Sequence, residues 1–165
     1  MKEVSLRRAE RVDSEFLFAL RNDAEVRRLS LNQAPLDSET HRGWFAKKLA
    51  DHNSAIFIAE IEGAPIGQVR FDVREENPRE AEVSIALVAE FRGKGYGNRI
   101  LKSAAERFFA LFPDAATLYA YINLGNEASL RSFQKAGYTL LGESTRGGQT
   151  RHEMALARPS VTQTL

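Results

Sequence analysis

Between positions 92 and 97 the chain reads Arg-Gly-Lys-Gly-Tyr-Gly, three glycines and two cations in six residues. Such a stretch acts through its backbone, because glycines let another molecule's oxygens approach main-chain N–H groups that bulkier residues would screen. It follows a strand pattern in which Val83, Ile85 and Leu87 share one face and Glu82, Ser84 and Ala86 the other. It opens a segment whose apolar residues Ile100, Leu101, Ala104, Ala105, Phe108 and Leu111 recur at helical spacing. A helix starting there leaves its first N–H groups unpaired and points the positive end of its dipole at the turn. The stretch is therefore an anion cradle, suited to a phosphate or pyrophosphate. Two familiar phosphate loops do not fit the spacing. The dinucleotide fingerprint needs glycine where Asn98 stands, and the P-loop needs Lys-Ser or Lys-Thr after its last glycine, where Gly97 is followed by Asn98 and Arg99.

Composition limits what else the chain can do. Its 165 residues suffice for one domain with a sizeable core. The 23 basic residues are nearly balanced by 22 acidic ones, so no nucleic-acid partner is expected. There is no cysteine, which excludes disulfides, thiolate metal sites and a cysteine nucleophile. Three scattered histidines without a paired spacing give no reason to expect a metal. No apolar run approaches the ~20 residues of a membrane span, and the first ten residues lack the apolar core of a signal peptide. The expectation is a cytoplasmic protein with no membrane partner.

The elements around the cradle can be read in order. Val4, Leu6 and Arg8 alternate as a short strand, and Asp13 or Ser14 caps a helix carrying Phe16, Leu17, Ala19 and Leu20. A short helix is expected over 24–29, a turn over 32–36, and a longer helix capped by Asp37 or Ser38 and bearing Trp44, Phe45 and Leu49. From Ala55 the period becomes that of strands: 55–62, then 65–75 after the Gly63-Ala64-Pro65 turn, then 81–88. After the cradle helix come a strand over 117–123, a helix over 127–135 stopped by Gly137, and a hairpin turning near Gly147-Gly148. Residues 1–157 form one expected domain, and 158–165 hold nothing to bury and are expected to be a loose tail. This order implies an α/β (α+β) fold, a mixed and mostly antiparallel central sheet flanked by helices.

The cradle also fills the pattern [Q/R]-x-x-G-x-[G/A] with Arg92, Gly95 and Gly97, which resembles the acetyl-CoA loop of the GNAT superfamily of N-acetyltransferases. A second stretch, Asn126 to Tyr138, is similar to that family's N-x-x-[AS]-x-x-x-[YF]-x-K-x-G-[FY], and the element order resembles the family's fold along nearly the whole chain. Leu20-Arg21-Asn22 and His41 with Trp44-Phe45 look like the ribosomal-protein N-acetyltransferase group and the related pseudaminic-pathway amino-sugar N-acetyltransferases. The same residues also read as a helix end and as core.

The resemblance implies acetyl-CoA as co-substrate and no metal. It assigns the coenzyme's pyrophosphate to the backbone of Arg92, Gly93, Lys94, Gly95, Tyr96 and Gly97, with Arg92 and Lys94 adding charge at the rim. It sets Leu87 and Val88 against the pantetheine arm, with the Leu87 N–H as the donor to the thioester oxygen. Asn126 matches a position used near that arm, and it also reads as a helix N-cap. An acceptor amine with a pKa near ~10.4 must lose a proton before it attacks. Glu82 matches the position of a glutamate acting through water as base, and it also reads as a solvated strand carboxylate. Many relatives carry tyrosine as general acid where this chain has Phe133. Tyr119, Tyr121 and Tyr138 are possible substitutes, and solvent could protonate the thiolate instead.

The acceptor is expected to be a small-molecule amine or a peptide N-terminus, taken up by a monomer or homodimer. Arg21, Arg27, Arg28, His41 and Arg42 place cations in the helices bordering its site. That charge suits a nucleotide-linked amino sugar first, a peptide N-terminus second and a polyamine least. The same cations also read as solvated helix faces paired with Asp23, Glu25 and Glu39. The alternative to an enzyme is a non-catalytic acyl-CoA-binding module.

Overall fold

A computed structural model of the chain describes residues 1–160. Seven strands form one sheet: β1 (Ser5–Arg8), β2 (Ser54–Ile61), β3 (Ala64–Val73), β4 (Glu80–Leu87), β5 (Thr117–Asn123), β6 (Thr139–Arg146) and β7 (Gln149–Ala157). Their order is β1-β2-β3-β4-β5-β7-β6. Every neighbouring pair is antiparallel except β4 and β5, which run parallel because the helix between them carries the chain back across the sheet. The helices are α1 (Ser14–Asn22), α2 (Ala24–Leu29), α3 (Ser38–Ala50), α4 (Tyr96–Leu111) and α5 (Glu127–Lys135). The mixed, mostly antiparallel sheet flanked by helices is as expected.

β2 shows how the layers form. Its alternate residues Phe57, Ala59 and Ile61 join the core beneath α4, with Phe71, Ile100, Leu101 and Phe108, while Ile56 and Ile58 join Leu17 and Phe45 on the other face. Period-two alternation thus gives one strand two buried faces, with α4 on one side and α1 and α3 on the other. Phe71 stacks on Phe108 and Phe108 on Phe112, each pair with ring centroids 4.5 Å apart. Truncating Phe108 to alanine would cost about 3–5 kcal/mol.

The structure adds one feature to the expected order and corrects another. β7 inserts between β5 and β6, so the second strand of the closing hairpin sits inside the sheet and the first lies at its edge. The loose tail does not begin at residue 158. The Arg158 guanidinium donates to the carbonyls of Ala115 (2.7 Å), Phe109 (3.0 Å) and Phe112 (2.6 Å) and lies over the Phe109 ring. A cation there takes up the Phe109 carbonyl, which Pro113 has no N–H to reach, and adds to the Phe112 carbonyl, which also accepts from the Ala115 N–H (3.1 Å). The remainder of the expected tail, 161–165, lies outside the described residues.

Candidate active site

β4 and β5 pair only from Glu80↔Thr117 to Glu82↔Tyr119. Beyond that point they part, and Val83–Leu87 and Ala120–Asn123 line the two arms of a cleft of about 950 Å³. On the far side of β4 the Val88 N–H donates to the Ile66 carbonyl (2.8 Å). Antiparallel strands turn alternate N–H groups to opposite neighbours, so those of Val83, Ile85 and Leu87 turn toward the gap. The Leu87 carbonyl is taken by Arg92 Nε (2.9 Å), which leaves the Leu87 N–H as the free donor at the strand's end. Val88 is not on the cleft wall, and its N–H is already used. Gly67, which the sequence pattern did not single out, matters here. A Cβ on it would come within 2.5 Å of the Ala86 carbonyl oxygen and of Leu87 Cδ2, so only glycine lets β3 lie this close to the arm.

The cradle is built by main chain. Gly93 (φ 69°) and Gly95 (φ 81°) hold left-handed conformations that side chains rarely adopt. Gly95 is the N-cap of α4 and offers no side chain, so the first N–H groups of that helix have no partner within it. A Cβ on Gly97 would meet Ser132 Oγ at 3.2 Å, so glycine brings the first turn of α4 against α5. Gly93, Gly95 and Gly97 all line the cleft. Tyr96 adds only its backbone, because its ring is buried edge-on to Phe91. The two loop cations differ in their surroundings. Lys94 is exposed and off the cleft wall. Arg92 lines the cleft but spends its charge on Asp23, with Nη2 2.8 Å from Oδ1. Asp23 in turn caps α2, accepting from the N–H groups of Glu25 and Val26. Arg92 thus joins the end of β4 to the start of α2.

Asn126 caps α5, its Oδ1 accepting from the Ser129 N–H (3.1 Å), and it also lines the cleft with its amide nitrogen left over from the cap. Phe133 lies on the cleft wall, edge-on to Tyr138 at 4.9 Å. Tyr138 is core: 3% exposed, its hydroxyl without a partner among the described residues and its phenol pushed well up by burial. Tyr119 lies under the Arg74 guanidinium and off the cleft wall. Of the three substitute tyrosines, Tyr121 alone lines the cleft. Its hydroxyl accepts from Arg74 Nη2 at 2.5 Å, and burial pushes its phenol up against the opposing pull of Arg74.

Glu82 stands where the strands part, at the acceptor end. Its Oε1 lies 2.8 Å from Arg146 Nη1 and 3.7 Å from Arg74 Nε, so it is no free surface carboxylate. Arg146 also lies over the Tyr121 ring at 4.3 Å. Asp72, opposite Glu82 in register, holds Lys48 (2.6 Å) and Arg70 (2.8 Å). Of the cations expected here, Arg21 alone lines this cleft. Arg28 pairs with Glu25 on the surface, and Arg42, also exposed, donates to Ser38. Arg27 lies off the cleft wall, and His41 lines a small pocket that adjoins the cleft. Arg70, Arg146 and Arg151 take their places, brought from β3, β6 and β7 by strand order alone. Burial lowers Arg21 below the usual arginine value, with Arg27 and Arg70 adding repulsion, and burial does the same to Arg151.

A main-chain cradle that leads into a gap between parted strands fits a phosphorylated arm carrying amides, the form of a coenzyme A thioester. Comparison with known proteins agrees. The family model described as the acetyltransferase (GNAT) domain matches residues 3–139, and the chain belongs to that family of acetyl-CoA-dependent N-acetyltransferases. Spermidine N(1)-acetyltransferase of Escherichia coli K12 is 27% identical over 140 residues, 85% of this chain and 75% of the relative. An L-methionine sulfoximine/L-methionine sulfone acetyltransferase of Pseudomonas paraeruginosa is 25% identical over 151 residues, 88% of this chain and 86% of the relative. Among solved structures, AAC(6')-Ib in complex with paromomycin and acetyl-CoA superposes with a TM-score of 0.83 at 21% identity, covering 94% of each chain. None of these relatives is named for the ribosomal-protein or the pseudaminic-pathway group, and the comparisons show the family. No helix among the described residues is long and apolar enough to cross a membrane.

Proposed function

We propose that the protein transfers the acetyl group of acetyl-CoA to a small primary amine that also carries an anionic group. The observation that carries this is the charge at the acceptor end. There Arg70 and Arg146 have carboxylate partners, while Arg21 and Arg151 bond only to uncharged oxygens among the described residues. A buried guanidinium at Arg151 and a half-buried one at Arg21, neither with a counter-ion among the described residues, favour an anion and repel a polycation. Acetyl-CoA supplies the thioester when bound. The backbone at Gly93, Gly95 and Gly97 holds its phosphates, the Leu87 N–H faces the thioester oxygen, and Asn126 meets the arm. Glu82, steadied by Arg146, takes the amine's proton through water.

A nucleotide-linked amino sugar and a peptide carrying acidic groups both have the required negative charge. The similarity to the E. coli spermidine enzyme points the other way, toward a polycation, while the P. paraeruginosa relative is named for amino-acid derivatives. The deciding experiment is an acceptor screen with acetyl-CoA read by mass spectrometry, covering amino acids, peptides, UDP-amino sugars, aminoglycosides and spermidine. Anionic amines are expected to give the highest kcat/KM. Spermidine as the best acceptor, with the anionic amines inert, would overturn the charge argument.

A further inference from the structure

Beside the acceptor end lies a second cavity of about 160 Å³, walled by Leu17, Arg21, Leu36, His41, Trp44 and Arg70 together with Gln68. Arg21, Gln68 and Arg70 belong to both walls, so the small cavity is a side pocket of the cleft. It is firmly built. Asn22 clamps Leu36 with two hydrogen bonds of 3.0 Å, and Arg70 lies over the Trp44 ring while pairing with Asp72. His41 is 1% exposed and set among the rings of Phe18, Trp44 and Phe45.

Two buried nitrogens in this wall have no hydrogen-bond partner among the described residues, Arg21 Nη1 and His41 Nδ1. A buried polar group left unpaired gives up the hydrogen bond it made to water, and a charged one loses more. Among the described residues Arg21 donates only through Nη2, to the Asn32 carbonyl. With His41 in the tautomer that carries its proton on Nδ1, a ligand that supplied two adjacent acceptor oxygens and one negative charge would pair both nitrogens and give Arg21 a counter-ion. A carboxylate has that form.

We propose that the side pocket seats a carboxylate carried by the acceptor, so that the acetylated amine belongs to a compact amino acid. This rests on the N-acetyltransferase reading above and selects within it. Size supports the choice, because 160 Å³ is close to a cavity that holds one benzene ring, far short of a nucleotide. Position supports it too. Arg70 pairs in register with Ser84, two residues along β4 from Glu82, a separation of about 7 Å. One small molecule can therefore place its carboxylate in the pocket and its amine near the proposed base.

The test compares each of the twenty L-amino acids with its own carboxamide, alongside spermidine, a UDP-amino sugar and an acidic peptide. For the acids that react, kcat/KM is expected to exceed that of the amide at least tenfold. Arg21→Gln should bring that ratio close to one through KM, with the affinity for acetyl-CoA held. His41→Phe, which keeps a ring among its aromatic neighbours, should lower the ratio partway. The chain's single tryptophan is Trp44, in the pocket wall, so its emission reports occupancy without turnover. A non-aromatic acid should change it saturably in the wild type, and its amide should not. Acids and amides used equally, an unchanged ratio in Arg21→Gln, or amino acids inert while the sugar or peptide reacts would each overturn the carboxylate pocket and leave the acetyltransferase reading standing. No acetylated product from any amine would overturn both.

Discussion

The two ends of the cleft are made of different material. At the end proposed for the cofactor, what faces the cleft is main chain: left-handed glycines at 93 and 95, the open first turn of α4, and the N–H of Leu87 where β4 ends. At the acceptor end it is long charged side chains, Arg21 from α1, Arg70 from β3, Glu82 from β4, Arg146 from β6 and Arg151 from β7. A main-chain cradle holds its geometry by the fold and tolerates exchange of the side chains around it. A side-chain site changes its ligand when one residue changes. The difference teaches how a fixed donor can be combined with variable acceptors on one scaffold.

The largest effect should come from filling the cradle. Gly97→Glu places a carboxylate against Ser132 where phosphate is to sit, and acetyl-CoA affinity should fall at least about a hundredfold, ~2.7 kcal/mol. Gly97→Ala, which needs only a few tenths of an ångström from the flexible Ser132 side chain, should bind nearly as wild type. Calorimetry on folded protein checks both, and undiminished affinity in Gly97→Glu would show that the cradle is elsewhere.

Next is Glu82→Gln at the other end. At pH 7 almost every alkylamine with a pKa near ~10.4 is protonated, and loss of a positioned base should cost about a hundredfold in kcat/KM. As pH rises toward 10 the free amine becomes abundant and the variant should approach wild type. A deficit of constant size across the pH profile would mean that Glu82 positions a group instead of taking a proton.

A smaller effect separates two readings of Arg92. The loop motif makes it a phosphate ligand, whereas its contacts make it a strut between the Leu87 carbonyl and Asp23. Arg92→Met should lower kcat about tenfold by loosening the strand end, with acetyl-CoA affinity changed less than about threefold. A rise in the acetyl-CoA dissociation constant of tenfold or more, steepening with salt, would restore the phosphate role.

How much of this was legible follows from the same contrast. The cradle could be read because its requirements are local: glycine conformations and a helix start within six consecutive residues, Arg92 to Gly97. Asn126 was legible in the same way, since a cap is set by its own neighbours. The resemblance sets Leu87 and Val88 together against the arm, and a motif does not say that the Val88 N–H turns to Ile66 on the neighbouring strand while that of Leu87 turns to the gap. Arg146 and Arg151 could not be found, because a hairpin pattern does not say which of its strands will pair with β5, and Arg151 reaches the site only because β7 does. His41 was noticed for its charge. Burial lowers its pKa, with Arg21 adding to the effect, so at neutral pH it is an uncharged hydrogen-bonding group in the side pocket.

The smallest predicted effect bears on the comparison most directly. Lys94 lies between the two left-handed glycines, and by type and spacing it is the obvious electrostatic contact for a pyrophosphate. The structure leaves it exposed and off the cleft wall, where water and salt screen it and an ion pair is worth about 0–1 kcal/mol. If the cradle works through its backbone, Lys94→Ala should change the acetyl-CoA dissociation constant less than about threefold, which is ~0.65 kcal/mol. Its salt dependence should stay close to that of the wild type. A charge-built cradle would instead lose tenfold or more at low ionic strength and converge with wild type as salt is added. Titrations at two salt concentrations distinguish these outcomes, and the second would place both ends of the cleft under the control of side chains.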